Sequence, residues 1–334
     1  MNPLVDIRNL HVSIPLTAGD LKVVRGISYT VEPGETFAIV GESGCGKSVS
    51  SLALMGLQPK QARVEADRMT FEGADILSMP RAALSRIRGV RLSMIFQDPM
   101  TALNPVYTIG DQLTEVYTAH GLGGRKAARE RAIDLLERVG LHNAGARMTL
   151  YPHQLSGGLR QRVVIAMAMM CHPMLIIADE PTTALDVTVQ ALTLGILKKL
   201  QSEFGTAMIL ISHDLGVVAN VADRVAVMYA GEIVETGTVA EVFAAPRHPY
   251  THGLMSCIPG GAHLGGRLPT IPGTVPSLIG EIDGCVFRNR CHLARGACNH
   301  GRIAERLDGG HAYRCIHDPE TLARQGQPHA EATR

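Results

Sequence analysis

The chain has no tryptophan, and only six phenylalanines and seven tyrosines. A core this poor in large rings must be closed by aliphatic side chains, with 14 methionines to fill irregular gaps. It lacks a dominant charge as well. Lys and Arg total 32 against 31 Asp and Glu, so the net charge is +1 and nothing global points to nucleic acid or an anionic membrane surface. No apolar run nears the roughly 20 residues that a membrane-spanning helix requires. Residues 1–10 carry Asp6 and Arg8 where a secretory signal would be unbroken and apolar. These absences set the expectation of a cytosolic chain that reaches any membrane through a partner.

What is present suits one large domain and a smaller one, since 334 residues are ample for a sizeable core. Cysteine use is lopsided. Cys45, Cys171 and Cys257 are scattered, whereas Cys285, Cys291, Cys298 and Cys315 crowd the end. In a reducing cytosol such a cluster points to a metal or iron–sulfur site rather than a disulfide framework.

Strand signals alternate with helical ones. Leu4 to Ile14 and Val23 to Val31 read as half-buried strands, and Thr36 to Val40 as a buried parallel strand. Lys47 to Gly56 reads as a helix, and Leu92 to Phe96 as another buried strand. From Met100 to about Met170 the pattern is helical, at Ile109–His120, Lys126–Val139 and Gly158–Met170, which suggests an inserted helical subdomain. Strands return at Leu175–Ala178 and Ala207–Ile211, with a helix over Val187–Phe204 between them. A hairpin is expected over Tyr229-Ala230-Gly231. The expectation is an α/β fold with a largely parallel core sheet and an antiparallel β subdomain. After Pro246 the stretch rich in Pro and Gly reads as a linker into a small module rather than more sheet, and about Pro319 to Arg334 as a frayed tail. The division is therefore 1–256 and 257–334.

Gly41-Glu42-Ser43-Gly44-Cys45-Gly46-Lys47-Ser48 matches G-x-x-x-x-G-K-[ST], between a strand and a helix that continues with Val49. Its glycines let backbone N–H groups turn inward around phosphate, and the helix adds its positive end. Lys47 is expected on the β- and γ-phosphates and Ser48 on Mg²⁺. The apolar run Leu175 to Ala178 delivers Asp179 and Glu180 to the end of a strand, where α/β sheets bind ligands. Asp179 suits Mg²⁺, and Glu180 suits accepting a proton from an attacking water. Cys45 has two readings: an inert stand-in for serine, or an oxidisable thiol with its pKa lowered by the helix N-terminus.

Leu155-Ser156-Gly157-Gly158-Leu159-Arg160-Gln161, about fifteen residues before Leu175, adds a second segment in fixed order with the loop. With it, residues 4 to 256 resemble the ATPase subunits of ATP-binding-cassette (ABC) transporters. The resemblance implies that Gln97 senses Mg²⁺ and the lytic water, and that His213 holds the γ-phosphate. It implies that Ser156, Gly157, Gly158 and Gln161 complete the nucleotide site of another ATPase subunit. It places Ala184-Leu185-Asp186 at the dimer interface. One departure is Ile14, where that family carries an aromatic that stacks on adenine; Ile14 offers apolar contact without a ring.

Two further segments are similar to the dipeptide, oligopeptide and nickel importer branch. They are Phe96-Gln97-Asp98-Pro99-Met100-Thr101-Ala102-Leu103-Asn104-Pro105 and His248-Pro249-Tyr250-Thr251, the latter followed by Ile258-Pro259. The tail Ile271-Pro272-Gly273-Thr274-Val275-Pro276-Ser277-Leu278, then Gly284-Cys285-Val286-Phe287 and Arg290-Cys291, resembles the C-terminal extension of peptide-importer ATPases. The resemblance implies a peripheral subunit on the cytoplasmic face of the inner membrane. ATP and Mg²⁺ are its ligands. Its partners are a second, different ATPase, two permeases and an extracytoplasmic binding protein, with no nucleic acid. At Cys285, Cys291, Cys298 and Cys315 it implies a [4Fe–4S] cluster; Zn²⁺, with His292, His300 or His317 assisting, and a bare thiol core remain open. A nickel importer, a soluble ABC ATPase and a metal or redox sensor are the rival functions. The segment for a soluble ATPase, a long coiled-coil insertion or a second cassette, is missing, and Glu180 with His213 argues for turnover rather than sensing.

Overall fold

The computed structural model describes residues 2–182, 186–257, 270–319 and 321–322. Ala184, Leu185, Ile258, Pro259 and most of the expected frayed tail lie outside them. Along the chain come β1 (Val5–Leu16), β2 (Gly19–Val31), β3 (Thr36–Val40) and α1 (Lys47–Met55). Then follow β4 (Arg63–Glu65), β5 (Arg68–Phe71), β6 (Ala74–Asp75), α2 (Arg81–Ile87) and β7 (Leu92–Ile95). Five helices succeed: α3 (Pro99–Ala102), α4 (Ile109–Ala119), α5 (Arg125–Arg138), α6 (Ala144–Arg147) and α7 (Gly157–Met169). Next are β8 (Leu175–Asp179), α8 (Val187–Phe204), β9 (Ala207–Ser212), α9 (Leu215–Val221), β10 (Arg224–Tyr229) and β11 (Glu232–Thr238). The last elements are α10 (Val239–Ala244), α11 (Pro249–Ser256), β12 (Arg306–Asp308) and β13 (His311–Tyr313).

Two compact units are assembled from interleaved segments. The first takes Met1–Val5, Thr30–Thr36 and Thr70–Ile211; the second takes Asp6–Tyr29, Phe37–Met69 and Ser212–Arg334. In the first, β7, β8 and β9 run parallel, with Ile95 opposite Ala178 and Asp179 opposite Ile211. All five residues of β8 and all six of β9 are buried, as continuous apolar runs demand when both faces are covered. Helices α3 to α7 fill the interval between β7 and β8, where the helical insertion was expected. Thr108 starts α4 by accepting from Asp111 N–H at 3.1 Å, and Asp186 starts α8 by accepting from Val189 N–H at 2.9 Å.

In the second unit, β3 pairs parallel with β10, and β10 pairs antiparallel with β11. Ala230 and Gly231 turn that hairpin at φ 47° and 86°, the left-handed pair that matches the twist of two strands. A capping box, Thr238 with Glu241, opens α10, and Pro249 occupies the first turn of α11.

The expectation of no further sheet after Pro246 is overturned. β13 pairs antiparallel with β11, Glu235 opposite Tyr313 and Thr236 opposite Ala312, and β12 continues that edge. The physical reason is buried polar pairing. The Glu235 carboxylate, 0% exposed, accepts from His311 Nε2 at 2.7 Å and from the backbone N–H groups of Arg247 and His248 at 2.6 and 2.9 Å. A three-residue strand shows no periodicity to read. Among the described residues, no helix is long and apolar enough to cross a membrane.

Candidate functional site

β3 ends in the glycine loop, and the loop ends in α1, all within the second unit. Gly41 has φ 155°, and a Cβ there would meet the Met228 carbonyl oxygen at 2.1 Å. Gly46, at φ 105°, would place a Cβ 2.5 Å from the Val23 carbonyl oxygen. Neither position accepts a side chain, so the loop's shape is set by steric exclusion. Lys47, 5% exposed, lies back over the loop and donates from Nζ to the carbonyls of Gly41 and Glu42 at 2.8 and 3.0 Å. Ser43 and Gly44 are exposed, whereas Ser48 and Val49 in the first turn of α1 are half-buried.

Cys45 is buried, and burial pushes its thiol pKa up, outweighing the Lys47 charge that favours the thiolate. Of the two sequence readings, this favours the inert stand-in for serine over the low-pKa oxidisable thiol.

The first unit brings together Gln97, Asp179 and Glu180. Asp179 closes β8 and is buried. Glu180 follows with φ 44°, a left-handed conformation that costs on the order of 1–3 kcal/mol in a residue with a side chain. Its N–H is tied to the Ile211 carbonyl at 3.0 Å. Gln97, just past β7, donates from Nε2 to Glu180 Oε2 at 3.2 Å. Adjacent parallel strands thus deliver an amide and a carboxylate to one point.

Ser156 caps α7 with extended backbone and no side-chain hydrogen bond to the first turn. Ser156 and Gly157 are exposed, so the positive end of a 13-residue helix is presented outward. A Cβ on Gly158 would stand 2.9 Å from Val189 Cγ1, which keeps α7 close to α8. Gln161 is buried in α7. Asp186 is exposed at the start of α8, and His213 is exposed in the turn before α9. Ile14 is half-buried on β1. Tyr29 is buried and stacked on Phe37 at 5.1 Å, engaged in the core.

The four clustered cysteines converge. Cys285, Cys291, Cys298 and Cys315 all line one pocket, with Phe287, His248 and His317 also on its wall. Burial raises the thiols of Cys285, Cys291 and Cys315 to about 11. His317 is bonded from Nε2 to the Leu293 carbonyl at 2.8 Å, and exposed His300 stands 3.6 Å from Asp283. Among the described residues, no three His, Cys, Asp or Glu form a ready metal-ion site.

The residues that sequence reading left without a role are Tyr250 and Arg290. Tyr250 Oη accepts the Glu42 N–H at 2.9 Å, and Arg290 Nη1 donates to Glu42 Oε2 at 2.8 Å. Both lie in segments whose pattern is distinctive, but neither carries a residue type that marks a phosphate site on its own.

Comparison with known proteins agrees with this geometry. The ABC transporter family matches residues 24–183, and the oligopeptide/dipeptide transporter C-terminal region matches 234–298. The dipeptide transport ATP-binding protein DppD of Bacillus subtilis is 51% identical over 300 residues, 90% of this chain and 90% of its own length. The oligopeptide transport ATP-binding protein OppD of Haemophilus influenzae is 47% identical over 312 residues, 91% of this chain and 96% of its own. Among solved structures, the dimeric cassette MJ0796 in a post-hydrolysis state with ADP and Pi superposes with a TM-score of 0.62 at 25% identity, over 70% of this chain and 98% of that one. The fold and the phosphate loop define a P-loop ABC cassette. The chain belongs to the ATP-binding proteins of ABC transporters, in the group that carries the oligopeptide/dipeptide transporter C-terminal region.

Proposed function

We propose that this chain is the ATP-hydrolysing subunit that powers import of peptides, of the dipeptide and oligopeptide class, through partner permeases. The observation that carries this reading is the joint presence of a complete cassette and the peptide-transporter C-terminal region, shared with DppD over 90% of both chains. Residues 1–256 form the ATP-binding domain, and 257–334 the extension.

The roles follow from chemistry. Backbone N–H groups of Gly44 to Val49 and the N-terminus of α1 wrap the phosphates, and Lys47 turns from its loop carbonyls to the β- and γ-oxygens. Ser48, Gln97 and Asp179 are the groups that would hold Mg²⁺, which would supply charge neutralisation at the phosphates. Glu180 accepts the proton of the attacking water, oriented by Gln97, and His213 steadies the γ-phosphate. Ser156, Gly157 and Gly158 offer the positive end of α7 to nucleotide on a second ATPase, with Asp186 at that interface. Gln161, being buried, supports α7 from behind. The second ATPase is a different chain, and the pair works with two permeases and an extracytoplasmic binding protein at the cytoplasmic face of the membrane.

The four C-terminal cysteines are the ligands of a [4Fe–4S] cluster. What supports a shared site is that all four line one pocket. When bound, the cluster staples together a module too small to fold alone.

Two measurements test the reading. ATPase activity of the purified chain rises on assembly with its permeases if it drives transport; a rate indifferent to them contradicts it. Anaerobic preparations contain iron and sulfide in equal amounts; zinc without iron, or neither, removes the cluster.

A further inference from the structure

Glu42 is an acidic residue inside a loop that must wrap a polyanion, and its carboxylate is paired with one cation. Arg290 Nη1 meets Glu42 Oε2 at 2.8 Å, with the Arg290 side chain 5% exposed and that of Glu42 28%. The rest of the guanidinium is fixed. Nη1 also reaches Tyr229 Oη at 3.4 Å, Nη2 donates to the Ile271 carbonyl at 3.0 Å, and Nε donates to the Pro272 carbonyl at 3.0 Å. The Tyr229 and Phe287 rings lie 5.7 and 6.0 Å from it. Gly273, at φ 84°, leaves room for the arginine stem, since a Cβ there would stand 3.0 Å from Arg290 Cγ. The backbone of Glu42 is held from the same side, through its N–H to Tyr250 Oη. The rings of Tyr229, Tyr250 and Phe287 pack with centroids 4.6 to 5.4 Å apart.

Arg290 also ends the short turn Arg288–Arg290 that runs directly into Cys291. Phe287 and Cys291 both line the cysteine pocket. One turn of chain therefore joins the pocket wall to the cation that grips the phosphate loop.

We propose that Arg290 is a positioning residue of the nucleotide site. It neutralises Glu42 and fixes the loop's second residue, and it makes nucleotide affinity depend on whether the cysteine pocket is filled. The second half rests on the cluster reading above; the first half does not. Because the coupling is a binding linkage, nucleotide must in turn tighten retention of the cluster.

The test uses the full chain, purified without oxygen, and reads four quantities: affinity for a fluorescent ADP analogue, KM and kcat for ATP, melting temperature, and iron content. Arg290→Gln weakens nucleotide affinity about tenfold and raises KM more than it lowers kcat, because an uncompensated carboxylate is left beside the phosphates. Glu42→Gln binds nucleotide at least as well as the parent chain, and the double variant regains most of the loss. Arg290→Lys recovers part, since it restores charge without the planar fork. Removing the cluster with a chelator weakens nucleotide binding in the parent chain and has little further effect in Arg290→Gln. Unchanged affinity in Arg290→Gln, or a double variant no better than the single, overturns the positioning role. Equal affinity of cluster-loaded and stripped parent chains overturns the coupling while leaving Arg290 in place. A preparation without iron or sulfide ends the cluster reading and the coupling together, and the arginine variants still decide the first half. If Arg290→Gln fails to fold, Arg290→Lys and Glu42→Gln decide it.

Discussion

Gln97 and Glu180 meet at 3.2 Å, amide nitrogen to carboxylate oxygen. They lie 83 positions apart in sequence and arrive from the ends of β7 and β8, which are parallel neighbours. The contact gives the carboxylate a fixed direction. Glu180→Gln keeps the shape and removes the proton acceptor. Turnover falls about 10²- to 10⁴-fold with nucleotide affinity retained, as a general base requires. Single-turnover hydrolysis beside equilibrium binding checks it; loss of both together contradicts the assignment.

Gly41→Ala places a methyl group 2.1 Å from a backbone oxygen that cannot swing away. The expected outcome is loss of nucleotide binding with a destabilisation of several kcal/mol, about the range for strain at a special backbone position. Gly44→Ala makes the contrast: at φ 80° it carries backbone strain alone, because nothing stands within 4 Å of its Cβ position. Melting curves and nucleotide titrations of the two variants separate close packing from general loop flexibility.

Buried Glu235 holds three donors at once, so truncation leaves them unsatisfied. Glu235→Ala costs about 3–5 kcal/mol, the scale for breaking a buried charged network, and frees β13 from the sheet edge. Denaturant unfolding reads the energy, and hydrogen exchange at Ala312 and Tyr313 reads the detachment. A loss below about 1 kcal/mol, the scale of a surface pair, contradicts the role given to this carboxylate.

His248 is fully buried, and burial with the neighbouring His252 lowers its pKa to about 3 from an ordinary 6.5. Its Nδ1 accepts the Tyr250 N–H at 3.1 Å, and its backbone N–H donates to Glu235 Oε2 at 2.9 Å. Between pH 6.5 and 3 the unfolded chain holds a proton that the folded chain refuses. Stability is therefore full above pH 6.5 and falls as pH drops toward 3, by about 1.4 kcal/mol per unit for one proton. His252, lowered in the same direction, adds to the slope. His248→Asn keeps an acceptor and flattens the dependence; an unchanged slope places the acid sensitivity elsewhere.

Ile14 supplies no ring for the adenine base. Modest discrimination between ATP and GTP follows, and Ile14→Tyr tightens ATP by about 2- to 10-fold, the value of one aromatic stacking contact. Competition titrations decide it; a strong ATP preference in the parent chain contradicts the reading.

The cassette was legible because its signals are continuous and local. Phe37–Val40 and Leu175–Ala178 are unbroken apolar runs, and the loop Gly41–Ser48 carries glycines whose need is steric. The strands β12 and β13 were not legible, since three-residue segments carry no period and their pairing depends on Glu235 and His311, 76 positions apart. The signals for α10 and α11, a Thr238–Glu241 box and a proline in the first turn, were in the sequence. The cysteine spacing announced a cluster of thiols without fixing what they hold. Arg290 lies in a distinctive segment, but its role comes from a contact 248 residues away.

The central claim is peptide import driven by this ATPase, and uptake tests it most directly. Cells carrying Glu180→Gln at the native locus are given labelled dipeptides, longer peptides and nickel in parallel. Selective loss of peptide uptake, with nickel unaffected, is the predicted result. Loss of nickel alone, or unchanged uptake of every peptide, contradicts it.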